Sequence, residues 1–340
     1  MTSFGFVGAG LIGYERIKAF AALRDEGESL QAAGVVDPYH PDVAARAATI
    51  HAPVLDDVAE LIAAKPDIAV IAVPHDVAHG LTRTLLEAGI RVLLEKPIGR
   101  TLHEAEALAA YQRYPDQLVI GHNYRFYKGV RALFSDLRQG LFGTPISLNF
   151  VLGHGGSPDD LKGWKLDPVR AGGGCLLDPG IHLLDLACQA ERGPLELRGG
   201  NWWSGFWKTG TEEDCHLVLR GTAIPTINIH VSVVRWRSTF RIELFGTAGY
   251  GLVEGRGRSY GPQIYRRGVR WGWQSGRPQQ ETEELVVTTS GDEVFVDEMR
   301  AMLRPLPNLG TSIATTEEAL EVMRLLRDCR AELGLRDDFK

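Results

Sequence analysis

Cysteine is scarce and scattered in this sequence: Cys175, Cys188, Cys215 and Cys329 are the four, and no two form a CxxC pair. That spacing excludes a disulfide-stapled scaffold and a cysteine-based zinc site; free thiols packed as small hydrophobes in a reducing cytoplasm are expected, and a metal site is not. Basic residues are not in excess either. Lys and Arg number 37 against 43 Asp and Glu, a net charge of -6, so no nucleic-acid face is expected. No apolar run is long enough to span a bilayer and no basic-then-apolar leader precedes the first apolar segment, so no membrane partner and a cytoplasmic location are expected. Internal repeats and low-complexity segments are absent as well. What remains is a globular composition, 44% hydrophobic and 24% charged, in a chain of 340 residues. That length is too great for one ordinary core and suits two domains.

An apolar run, Phe4-Gly5-Phe6-Val7, leads into Gly8-Ala9-Gly10-Leu11-Ile12-Gly13 and then a helical pattern from Tyr14 to Leu23. Strand, GxGxxG and helix in that order form the context that a dinucleotide-binding loop requires. Gly8 then permits the tight turn, Gly10 lets the backbone approach a pyrophosphate, and Gly13 lets the helix pack on the strand. Leu11 and Ile12 open the helix whose amides face the phosphates. The next apolar run, Ala32 to Val36, ends in Asp37, near the place of a ribose-binding carboxylate about 20 residues beyond the glycines. An acid here repels an added 2′-phosphate, so NAD is expected in preference to NADP. A simple turn before Pro38 is the plainer explanation of Asp37.

Apolar runs at 67–73, 91–94 and 117–121 alternate with helical patterns, as a parallel α/β sheet demands. Ligands of such sheets lie beyond the carboxyl ends of the strands. That rule places Pro74 on the active edge, with His79 in the helix that follows. It also places Glu95-Lys96-Pro97 and His122-Asn123-Tyr124-Arg125-Phe126 there. A lysine in this position can polarise a substrate oxygen or relay a proton, although a solvated Lys96 is the bland alternative. Further on, Gly172-Gly173-Gly174 opens an apolar stretch of helical spacing that holds Asp178, His182 and Asp185. Four residues apart on a helix, Asp178 and His182 would share a face, where a carboxylate orients an imidazole and favours its protonated form. A buried helix whose two polar groups merely satisfy each other would use the same residues.

Taken in order, Gly8 to Gly13, Glu95-Lys96-Pro97, Asn123 to Phe126, and the stretch with Asp178 and His182 make the chain resemble the Gfo/Idh/MocA family of NAD(P)-dependent oxidoreductases. The resemblance implies an α/β fold with an N-terminal Rossmann dinucleotide-binding domain, here residues 1–122. A C-terminal α+β domain with an open, mostly antiparallel sheet would follow over 123–340, its last helices free to pack against the first domain. It also implies hydride transfer between a nicotinamide and a hydroxyl or ketone carbon of a sugar, cyclitol or sugar nucleotide, in a homodimer or homotetramer. Lys96, Asp178 and His182 match the family's catalytic trio. His182 would exchange the hydroxyl proton, Asp178 would position the substrate or the imidazole, and Lys96 would polarise the reacting oxygen. Glu95, Asn123 and Arg125 are placed at the cofactor and Tyr124 at the substrate. Two other readings compete: an NAD-dependent redox-assisted glycosidase, and a cofactor-binding sensor without turnover, against which the intact trio speaks.

The second domain reads as a helix over 128–141 and strands at 146–152, 195–200, 215–219, 226–234, 240–245 and 251–254. A helix over 295–303 and a capping box at Thr315 and Glu318, heading a helix through Leu325, close it. His154, Trp164, Lys165 and Arg170 are further substrate contacts, with Trp164 either stacking on a sugar ring or packing. The clusters Trp202-Trp203-Ser204-Gly205-Phe206-Trp207 and Trp271-Gly272-Trp273 read as interface or core rather than a carbohydrate platform. Arg235, Arg237, Arg266 and Arg267 read first as a solvated sheet face and second as a clamp for a substrate phosphate or carboxylate.

Overall fold

A computed structural model describes residues 1–157, 163–291, 293–304 and 313–337. The first half runs β1 (Thr2–Val7), α1 (Leu11–Asp25), β2 (Leu30–Val36), α2 (Val43–Ala48), β3 (Val54–Leu55), α3 (Val58–Ala63), β4 (Ile68–Ile71), α4 (His75–Glu87), β5 (Arg91–Glu95), α5 (Leu102–Ala109) and β6 (Leu118–Gly121). Apolar strands make this sheet: β4 is Ile-Ala-Val-Ile and buried at all four positions, as a strand covered on both faces must be. Side chains set several helix starts, with Asp57 accepting from the Glu60 amide at α3 and Thr101 from the Glu104 amide at α5. Strands β6-β5-β4-β1-β2-β3 pair in parallel. The order turns back on either side of β1, which makes the crevice beyond its carboxyl end the expected ligand position.

The second half runs α6 (Lys128–Arg138), β7 (Pro145–Gly153), α7 (Pro168–Ala171), α8 (Ile181–Glu191), β8 (Glu196–Trp203), β9 (Asp214–Arg220), β10 (Ile227–Ser232), β11 (Thr239–Gly246), β12 (Gly249–Glu254), β13 (Gln263–Val269), β14 (Glu284–Thr289), α9 (Val294–Leu303), β15 (Ala314–Thr315) and α10 (Thr316–Glu332). Eight of these strands form a sheet in the order β14-β13-β12-β11-β7-β10-β9-β8, antiparallel except where β7 meets β10. Alternation decides its two faces. Leu148, Phe150 and Leu152 of β7, Cys215, Leu217 and Leu219 of β9, and Phe240, Ile242 and Leu244 of β11 are buried on one. The other carries exposed Val218, Phe245 and Leu285.

Several elements depart from the sequence pattern. The helical stretch at 175–186 becomes helix only from Ile181, because Pro179 biases Asp178 away from helical geometry and cannot donate an amide. Strands β13 and β14 escaped notice because their apolar residues are interleaved with Arg266, Arg267 and threonines. The Thr315–Glu318 capping box forms, and its helix continues to Glu332.

The late elements return to the first domain. β15 pairs with β6 in antiparallel fashion, α9 packs on α1, and α10 packs on α5 and α8. Two buried arginines hold this seam. Arg16 of α1 reaches Glu95 (Nε to Oε1, 2.7 Å) and Glu298 of α9 (Nη1 to Oε2, 2.5 Å). Arg125, just after β6, forks onto Asp185 of α8 and donates to Glu318 of α10 at 2.9 Å. Removing one partner of such a pair strands the other charge out of water. Asp185→Ala is therefore expected to cost about 3–5 kcal/mol in urea unfolding, and a loss below about 1 kcal/mol would contradict this seam.

Candidate active site

The GxGxxG loop meets the steric demands of a dinucleotide cradle. Gly8 has φ +95, and a Cβ there would strike the Ala72 carbonyl; one at Gly13 would strike the carbonyl of Gly8. A Cβ at Gly10 would meet no atom within 4 Å, so space lies open beside the backbone at this position. Gly10 also caps α1 without a side-chain hydrogen bond, leaving the first helix amides to a ligand. Leu11 is 70% exposed and Ile12 36%, apolar residues lining the cleft. Asp37 accepts from the Ala9 amide at 2.7 Å and from the Tyr39 and His40 amides, which ties the end of β2 to the loop. Arg46, unremarked in the sequence, donates to the Ala9 carbonyl from α2, beside Asp37.

A cleft of about 400 Å³ opens between the domains. Lys96, at the end of β5, enters it and makes an ion pair with Asp178. Lys165 pairs with the other oxygen of Asp178 at 3.0 Å. Burial alone would raise the Asp178 pKa, but Lys165 and Lys96 hold it well below the usual carboxylate range. The peptide bonds Lys96–Pro97 and Asp178–Pro179 are both cis.

His182 lies in the first turn of α8, and its surroundings differ from the sequence expectation. Asp178 sits before the helix and pairs with the lysines rather than orienting the imidazole. Tyr124 stacks on His182 instead, with ring centroids 3.8 Å apart and planes within 2°. Among the described residues, the buried Nδ1 has no hydrogen-bond partner. Burial first, then the charge of Lys96, drives the His182 pKa well below its ordinary value, which favours the neutral ring. Two further histidines behave alike. Burial lowers His75 to about 4 and His122 to about 4. His75 Nδ1 donates to the Ala171 carbonyl (2.8 Å), and the ring meets Trp164 edge-on at 4.6 Å.

Of the residues singled out in the sequence, Leu11, Ile12, Glu95, Lys96, Asn123, Tyr124, His154, Lys165, Asp178 and His182 line this one cleft. Others lie elsewhere. Arg125 is consumed by Asp185 and Glu318 in the seam, which corrects its placement at the cofactor. His79 does not line the cleft; His75, one turn earlier, sits closer to the lysine–aspartate pair. Arg170 pairs with Asp76 at 2.9 Å, and Trp164 packs beside the cleft against His75. None of Arg235, Arg237, Arg266 and Arg267 enters it: Arg267 pairs with Asp136 and Glu284, and Arg266 approaches Glu254. A cleft residue that the sequence reading missed is Arg256, in the turn after β12. Its only signal was an undistinguished Gly255-Arg256-Gly257-Arg258.

A metal site was not expected, yet Asp214, His216 and His230 bring three ligand atoms within 4.8 Å on the open sheet face. Spacing could not reveal this, because His230 arrives from the neighbouring strand opposite His216. Arg235 donates to His230 Nδ1 at 3.3 Å, leaving Nε2 as the protonated nitrogen that donates to Asp214 at 2.9 Å. That proton pattern suits a hydrogen-bonded cluster better than an ion.

Fold and loop together define a nucleotide-binding Rossmann domain joined to a mostly antiparallel sheet domain. Residues 2–122 match the family model described as "Oxidoreductase family, NAD-binding Rossmann fold", and residues 130–250 match the "GFO/IDH/MocA C-terminal domain". The chain belongs to the Gfo/Idh/MocA family of oxidoreductases. It is 28% identical over 186 residues to the 1,5-anhydro-D-fructose reductase of Ensifer adhaerens, covering 54% of this chain and 55% of that protein. Across the curated relatives it matches first, the chain spans from about a third to about half of their length. Among solved structures, GenD2 from gentamicin A biosynthesis in complex with NAD is similar at TM-score 0.76 and 18% identity, over 96% of this chain and 92% of that one. KijD10, a 3-ketoreductase from Actinomadura kijaniata in complex with NADP and TDP-benzene, is similar at TM-score 0.78 and 16% identity, over 97% of each chain.

Gly10→Val should fold as the parent does, with an unchanged urea midpoint, but bind NADH at least about tenfold more weakly in a fluorescence titration. Undiminished NADH binding would contradict the cradle.

Proposed function

We propose that this protein is an NAD-dependent dehydrogenase, or reductase in the reverse direction, acting on a hydroxyl or ketone carbon of a sugar, cyclitol or sugar nucleotide. One observation carries the reading: the first residues of the helix behind the glycine loop, a lysine–aspartate pair and a buried histidine stacked on Tyr124 line one cleft between the domains. Gly8, Gly10, Gly13 and the N-terminus of α1 would hold the pyrophosphate, with Asp37 at the ribose. Bound nicotinamide would supply the hydride acceptor. Asp37 favours NAD over NADP by repelling a 2′-phosphate, although Arg46 stands beside it. The sugar relatives support the substrate class: besides the anhydrofructose reductase, a D-glucoside 3-dehydrogenase from Escherichia coli is among them.

A neutral imidazole has a lone pair with which to accept the hydroxyl proton as oxidation proceeds, and it returns that proton in reduction. A cation at Lys96 stabilises the negative charge that develops on the reacting oxygen. Asp178 fixes that ammonium group and keeps Lys96 from drifting to solvent. Tyr124, stacked on His182, holds the ring plane.

The test is NADH formation over a panel of free sugars, inositols, sugar acids and nucleotide sugars, with mass spectrometry of each mixture and NADP run in parallel. Turnover with NAD is expected for one class. His182→Asn and Lys96→Met should each lower kcat by about 10² to 10⁴ while NADH still binds. Cleavage of a glycoside without net NADH would favour the redox-assisted glycosidase, and retained turnover in both variants would remove the proposed machinery. The open sheet face, with Phe245 stacked on Tyr250 and exposed Trp271 and Trp273, supports assembly into a homodimer or homotetramer. Light scattering should then give a mass of at least two chains, and Phe245→Asp should lower it; a monomer would contradict this face.

A further inference from the structure

Among the described residues, every carboxylate that lines the cleft already has partners. Asp178 is paired with Lys96 and Lys165, Glu95 with Arg16, and Glu15 with Lys18 and Arg258. Glu212 accepts from the Leu176 amide, and Glu213 accepts from the amides of Phe206, Trp207 and Lys208. The cleft cations Lys96, Lys165 and Arg258 each have a carboxylate within ion-pair distance, Lys96 and Lys165 sharing Asp178 and Arg258 sharing Glu15 with Lys18. Arg256 differs. Among the described residues no carboxylate lies within ion-pair distance of it, its buried Nε has no hydrogen-bond partner, and its hydrogen bond to the Tyr127 hydroxyl is long, at 3.5 Å. Its guanidinium is flanked by aromatic rings, 3.8 Å from the Tyr260 centroid and 5.3 Å from that of Tyr124. Those rings orient a cation without neutralising it.

Position gives this charge its meaning. Tyr124 stacks directly on His182, so Arg256 stands one ring away from the proposed proton acceptor. The turn that carries it is anchored, with the Gly255 amide on Phe240 at 2.9 Å and the Gly257 amide on Gly261 at 2.7 Å. A half-buried guanidinium with unused donors, fixed by its backbone and stacked on tyrosines, is preorganised for a two-oxygen anion.

We propose that Arg256 is the anion-recognition residue of the cleft, and that the substrate carries a carboxylate or phosphate oxyanion close to the carbon that reacts. This rests on the sugar-oxidoreductase reading and narrows it from sugars in general to anionic ones: sugar acids, sugar phosphates or nucleotide sugars. Arg256 is thus a specificity residue and takes no part in moving the proton. An anion paired there also offsets the cost of a cation held away from water without a counter-charge.

The experiment is calorimetric binding to the NADH-loaded full chain of matched probes: D-glucose, D-glucuronate, glucose 1-phosphate and UDP-glucose. At least one anionic probe should bind about tenfold to a hundredfold more tightly than glucose. Arg256→Gln should abolish that preference, and Arg256→Lys should retain part of it, since charge persists while the fork is lost. Preference for glucuronate identifies a carboxylate, and preference for the other two a phosphate. Equal binding of neutral and anionic probes, no binding of any anionic probe, or an unchanged preference in Arg256→Gln overturns the proposal. NADH retention in the same samples shows that the variant is folded. Turnover is read separately: anion preference without oxidation would count against the proposed reaction and leave Arg256 in its role.

Discussion

The ion pair between Lys96 and Asp178 is the interaction on which the site depends. One partner ends a strand of the nucleotide-binding sheet and the other precedes a helix of the second domain, so the pair exists only when the domains are joined. Both side chains are largely withdrawn from water, where a lone charge would be costly and a matched pair is tolerated. The lysine is thereby fixed beside the histidine. Its charge in turn reinforces what burial does to His182, keeping the ring neutral. Position and charge at the centre of the cleft follow from this contact, while the protonation of His182 is set by burial first and by Lys96 second.

The seam is built to keep that contact in register. Arg16 ties α1 to Glu95 and to α9, and Arg125 ties the end of the first sheet to α8 and α10. Glu95 precedes Lys96, and Asp185 follows His182 by three residues, so the structural ion pairs flank the candidate catalytic groups along the chain. Two anchored elements therefore face each other across the cleft, and little freedom remains for Lys96 and Asp178 to separate.

Local chemistry was legible in the sequence, and tertiary electrostatics were not. The glycine loop, the capping box at Thr315 and the apolar strands of the first sheet are each encoded within a few neighbouring residues. Gly8, Gly10 and Gly13 have separate steric roles that the sequence alone discloses, because each role is a property of the missing Cβ. The relation of Asp178 to His182 was misjudged: their spacing suggested a shared helix face, but Pro179 keeps Asp178 outside the helix and Lys96 captures it. Arg125 looked like a ligand contact since its partners, Asp185 and Glu318, are distant in the chain. Arg256 drew no attention for the converse reason. What distinguishes it is the carboxylate it lacks, and no local pattern records that.

The most direct test of this account is the titration of His182 itself, followed by ring-nitrogen NMR on histidine-labelled protein and assigned with His182→Asn. His182 should remain neutral well below 6.5, and Lys96→Met should move its protonation upward as one source of repulsion is removed. Protonation at or above 6.5 in the parent protein, unmoved by Lys96→Met, would contradict a site organised around the Lys96–Asp178 pair and a neutral proton acceptor.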